Sequence, residues 1–70
     1  MIETKQVGER ISRLRQKKGM TQIALADKLG VTSQAISKWE RGHSFPDVSR
    51  LDELAELLGV AVAYLLTGNS

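Results

Sequence analysis

Only Gly30, Val31 and Thr32 stand between two helical patterns, Gln22 to Leu29 and Ser33 to Arg41, and a link that short does not let two helices drift apart. Thr21 and Thr32 are residues of the N-cap kind, whose hydroxyl oxygen accepts from an amide of the following first turn, and Gly30 can take the left-handed conformation that ends the first helix. Two caps and one stop so close together predict a helix pair held at a fixed angle. Ala26 and Gly30, four residues apart, add to the constraint, because backbones cross closely only where side chains are small. Ile36 and Trp39 supply the inner face of the second helix.

The rest of the chain reads as helix too, since apolar residues recur at helical spacing and β-branched runs bounded by turns are missing. Helix 1 is expected over Gln6 to Lys18, with Val7, Ile11 and Leu14 inward and Gly19 ending it. Asp47 opens helix 4, whose Val48, Leu51, Leu54, Ala55 and Leu58 fall on one stripe before Gly59, and helix 5 is the short stretch Ala61 to Leu66. The expected fold is all-α, five helices in one domain over residues 1–70, with no repeat or linker.

Size and composition exclude much else. A chain of 70 residues buries only roughly 60% of its unfolded surface, so a deep enclosed active site is not expected. It has no Cys and one His, His43, so neither thiolate nor imidazole metal sites are expected. Ser44, His43 and Asp47 invite a triad reading, but near neighbours on one short loop cannot reach nucleophile, base and orienter geometry together. No catalytic residue, cofactor or small-molecule substrate is expected. The longest apolar run, Val60 to Leu66, falls far short of the ~20 residues of a membrane span, and the N-terminus lacks a signal-peptide pattern; the expected location is the cytoplasm.

Charge is unevenly placed. Residues 1–41 carry nine basic side chains against four acidic, a net of +5, whereas residues 42–70 carry Arg50 against Asp47, Asp52, Glu53 and Glu56, a net of −3. One side turned to a polyanion would give such a split, although ordinary solvated charge explains any single Lys or Arg. Helix 3 holds the finer signal. Advancing about 100° per residue places Ser33, Ser37, Arg41, Gln34 and Lys38 in one arc of roughly 140°, with Ala35, Trp39, Ile36 and Glu40 opposite. The outer arc has no acid. Gln pairs bidentately with adenine N6 and N7, Lys donates to guanine O6 and N7, and Ser donates or accepts at most base edges. A solvated polar face would explain these residues on an isolated helix; the capped tight turn ahead of them favours a helix that enters a groove.

The segment TQIALADKLGVTSQAISKWERG, continued by FPDVSRLDELAELLGVAVAYLLTG, resembles the Cro and phage-repressor (XRE-like) type of helix-turn-helix transcriptional regulators, and the likeness runs from Val7 to Gly68. The resemblance implies a lambda-repressor-like five-helix bundle, a double-stranded operator DNA partner, a homodimer on that DNA and a third helix in the major groove. Carried over position by position, it implies base reading by Ser33, Gln34 and Lys38, with Ser37 at the edge between base and phosphate contact. Gln22 becomes a phosphate contact at a helix N-terminus, which attracts anions. Thr32, Arg41, His43 and Ser44 complete the phosphate set, while Lys5, Arg10 and Lys17 admit either a phosphate or a plain solvent reading. Arg15 and Glu40 match a pair that bridges helices 1 and 3, and Trp39 reads as core.

Two departures stand out. Ile23 and Ala24 replace polar or acidic residues common in relatives, so helix 2 lacks the carboxylate of a capping box. Ala61 and Ala63 leave helix 5 unusually apolar; the resemblance implies a dimer contact at helix 5, with Val62 and Tyr64 as its candidates unless they complete the chain's own core. The expected function is sequence-specific DNA binding by a transcriptional regulator, a repressor that occupies its operator as a homodimer. The alternative is a protein-interaction module, such as an antitoxin-like subunit, with DNA binding secondary.

Overall fold

Each helix of this chain begins or ends where a side chain or a turn satisfies the backbone groups that a helix end leaves open. The computed structural model describes residues 2–69. They form α1 (Thr4–Lys17), α2 (Gln22–Leu29), α3 (Ser33–Glu40), α4 (Val48–Leu58) and α5 (Val62–Thr67), with no strand among the described residues. Thr21 Oγ1 accepts from the Ala24 amide at 3.0 Å, and Thr32 Oγ1 from the Ala35 amide at 3.1 Å. Asp47 Oδ1 accepts from the Arg50 amide at 3.0 Å and from the Ser49 hydroxyl at 2.9 Å. These donors hold the Asp47 carboxyl below the usual carboxylate range, the Arg50 amide foremost.

The boundaries differ from the sequence expectation at the ends. Helix α1 starts at Thr4 rather than Gln6 and leaves Lys18 as its cap. Arg41 is the cap of α3 rather than its last residue. Helix α5 runs Val62–Thr67 rather than Ala61 to Leu66, because Ala61 is extended and the Thr67 hydroxyl donates to the Ala63 carbonyl at 2.7 Å. Val48 is the one misplaced stripe residue: it is 85% exposed. As the first residue of α4 it lies about 10 Å along the axis before Ala55, beyond the edge of the core.

The core is built from Val7 and Ile11 of α1, Leu25, Ala26 and Leu29 of α2, Ile36 and Trp39 of α3, Leu51, Leu54, Ala55 and Leu58 of α4, and Leu65 of α5. Leu14 and Val62 are partly buried and pack against it. Helix α1 is the hub, touching α3, α4 and α5, while α2 packs on α3 and α4. At the crossing of α1 with α3 the backbones themselves meet: Gly8 is buried, and a β-carbon there would stand 2.7 Å from the Glu40 carbonyl oxygen and closer still to that of Trp39. No larger residue fits that crossing without a shift.

Candidate nucleic-acid interface

The turn between α2 and α3 is set by Gly30, which takes φ 71° and ψ 31°. An L side chain rarely adopts that conformation, so the turn needs this glycine. The Val31 amide donates to the Ala26 carbonyl at 3.0 Å, closing α2, and Thr32 then opens α3. Ala26, 2% exposed, lies under this crossing, and Ile36 and Trp39 anchor the inner side of α3 as the sequence predicts.

A second constraint fixes the far end of α3. Arg15 Nε donates to Glu40 Oε2 at 2.6 Å and Nη2 to Oε1 at 3.1 Å, a bidentate pair, while Nη1 donates to the Met20 carbonyl at 2.8 Å. The side chains are 12% and 6% exposed, so the pair is nearly dry and its worth lies in geometry as much as in stability. Gln22 joins it: its Nε2 donates to Glu40 Oε1 at 3.0 Å. The Gln22 amide therefore has one N–H spent on the bridge. Its place in the bridge was not legible from the sequence, because residues 18 apart along the chain meet only once the helix angle is known.

What remains outside this frame is the predicted arc. Gln34 and Lys38 are exposed, and Ser33 and Ser37 half-buried, on the outward side of α3. Ser33 donates to Gln34 Oε1 at 3.4 Å, which leaves the Gln34 amide N–H groups outward. Thr32 uses its oxygen as acceptor in the cap, and its O–H stays available to donate. Arg41 Nε leans back on the Ser37 carbonyl at 3.3 Å. The His43 amide closes the end of α3 on the Lys38 carbonyl at 2.9 Å, so that exposed His43 and Ser44 follow directly from it.

Other residues separate from this face. Arg10 Nη1 donates to the Leu65 carbonyl at 2.8 Å and Arg13 Nη2 to the Tyr64 hydroxyl at 3.5 Å, so both guanidinium groups tie α1 to α5. Arg10 thus serves a helix C-terminus, where carbonyls attract cations. Asp47 Oδ1 is engaged by the Arg50 amide and the Ser49 hydroxyl in the cap of α4. Among the described residues no three metal-ligating side chains cluster, and no helix is long and apolar enough to cross a membrane. Gly8 is the structural residue that the sequence reading missed; a glycine inside an amphipathic helical pattern, at a cost of about 1 kcal/mol against Ala, was the available signal.

Two capped helices locked at a glycine turn, with a polar, acid-free face turned out from the second, define a helix-turn-helix domain. The chain belongs to the helix-turn-helix family of transcriptional regulators, whose profile matches residues 11–65. It is 43% identical over 61 residues to the SPbeta prophage-derived uncharacterized HTH-type transcriptional regulator YonR of Bacillus subtilis, covering 87% of this chain and 56% of that protein. It is 38% identical over 68 residues to the repressor protein C2 of Salmonella phage P22, covering 97% of this chain and 32% of the repressor. The crystal structure of the P22 c2 repressor with a synthetic operator superposes with a TM-score of 0.87 at 40% identity, over 90% of this chain and 96% of that one. The chain thus spans about half the length of the first of these relatives and about a third of the second.

Proposed function

We propose that this domain binds double-stranded operator DNA sequence-specifically, inserts α3 into the major groove, and acts as a repressor by excluding the transcription machinery. The observation that carries this reading is the outward arc of α3: Ser33, Gln34, Ser37 and Lys38 present donors and acceptors suited to base edges, while every strong internal constraint acts on the opposite side of the helix. Gln22, Thr32, Arg41, His43 and Ser44 flank that arc at the two ends of α3 and supply phosphate donors. The similar P22 c2 repressor, solved in complex with a synthetic operator, supports DNA as the partner.

One helix reads only a few base pairs, so useful specificity calls for two copies on half-sites roughly 34 to 36 Å apart. Val62 and Tyr64 are both half-buried on α5, Val62 against the chain's own core and Tyr64 beside Arg13, and both stand as dimer candidates. The alternative, an interaction module, draws on Ile23, which is 65% exposed. Selection from a random duplex pool separates the two. The regulator reading expects enrichment of an inverted repeat whose affinity falls steeply with salt; no enriched sequence and a flat salt response would favour the interaction module.

A further inference from the structure

Where the C-terminal half of α1 meets the junction of α4 and α5, two adjoining hollows of 340 and 420 Å³ share Leu14, Lys17 and Val60. Leu14 and Val60 form an apolar floor that continues into the core, and Tyr64 closes one end. Lys17 and Lys18 stand exposed on the rim. Neither is paired: the ion pairs among the described residues are Arg15 with Glu40 and Arg50 with Glu53. The groove is therefore apolar below and positive above.

The same chain carries a surface of the opposite pattern. Val48, Asp52 and Glu56 recur every four residues along α4 and so lie in one row, with Glu53 beside them. All four are exposed, Val48 to 85%. Glu53 is held by Arg50 at 3.0 Å, while Asp52 and Glu56 have no cationic partner within the described residues. An exposed valine in an acidic row matches an apolar groove edged with lysines in both polarity and sign.

We propose that the groove of one copy receives the Val48, Asp52 and Glu56 row of α4 from a second copy. Groove and row are different patches, so each chain brings both halves of the contact. Exposed ion pairs are individually weak; their part is to set register and encounter rate around the valine, which makes the association modest and salt-sensitive. This contact presupposes the two-copy reading above and gives it a location, on the Tyr64 side of α5.

A charge swap in sedimentation equilibrium, without DNA, tests it. Lys17→Glu with Lys18→Glu makes both patches acidic; Asp52→Lys with Glu56→Lys makes both basic. Each double variant alone should associate at least about tenfold more weakly than the wild type at low salt, and an equimolar mixture should return to within about threefold of it, with both differences fading at high salt. Val48→Ser, which changes no charge, should weaken association severalfold and covers the case in which a reversal disturbs folding, checked by helical circular dichroism. Unchanged association of the separate variants, no recovery on mixing, or a wild type that stays monomeric at every concentration overturns the contact. Duplex selection on the wild-type chain keeps the outcomes apart: an operator enriched without any charge-swap recovery leaves the DNA reading standing and removes this contact alone.

Discussion

Gly8 in α1 faces the main-chain carbonyl of Trp39 in α3 with no room for a methyl group between them. The atoms opposite Gly8 are backbone, which cannot swing aside as the end of a flexible side chain would. The last turn of the proposed recognition helix is therefore seated directly on α1, next to the point where Arg15 grips Glu40. In an exposed helix, Gly→Ala stabilises by about 1 kcal/mol. Here Gly8→Ala should instead destabilise by about 1 to 3 kcal/mol through overpacking. A lower urea midpoint at unchanged slope is the expected result; a higher midpoint would show that the two helices separate freely.

Arg15 and Glu40 should behave as a unit. Arg15→Met strands a carboxylate that is 6% exposed, and removal of one partner from such a pair costs about 3 to 5 kcal/mol. The double variant Arg15→Met with Glu40→Leu should lose less than the sum of the single variants, because no charge is left unpaired. Guanidinium denaturation of all four chains gives the cycle, and strict additivity would mean that the bridge carries no coupling.

Asp47 supplies the pH dependence. Its folded carboxyl lies below the ordinary value, chiefly through the Arg50 amide, so its contribution to stability is present above that ordinary value and lost as pH falls through the depressed one. Asn also caps helices, so Asp47→Asn removes the charge and keeps the cap. The advantage of the wild type over this variant at neutral pH should shrink on acidification from about pH 4 downward. Thermal melts across that range check it, and a difference independent of pH would place the effect elsewhere.

Arg41 sits at the exposed end of α3, beside the outward arc. If it meets a phosphate, Arg41→Ala should weaken binding to every duplex alike and reduce the slope of log affinity against log salt by about 1. A change confined to one base position would make Arg41 a base reader instead.

Much of this was legible in the residues because the information is local. Thr21, Gly30 and Thr32 act within one turn of their own positions, so α2 and its junction with α3 fall where the sequence places them. Val48 was misjudged because angular position alone does not tell where along its axis a helix meets the core. The Gln22 contact to Glu40 and the Arg10 contact to Leu65 were hidden for a related reason, since each joins elements distant in sequence and depends on how helices cross.

Gln34 offers the most direct test, since its exposed side chain lies on the face proposed to read bases. Titration of the selected operator and of its single-base variants with wild type and Gln34→Ala should show a loss of about 1 to 3 kcal/mol on the operator, with preference relaxed at one position of each half-site and kept at the others. Unchanged affinity together with unchanged preference at every position would contradict the assignment of α3 as the reading helix.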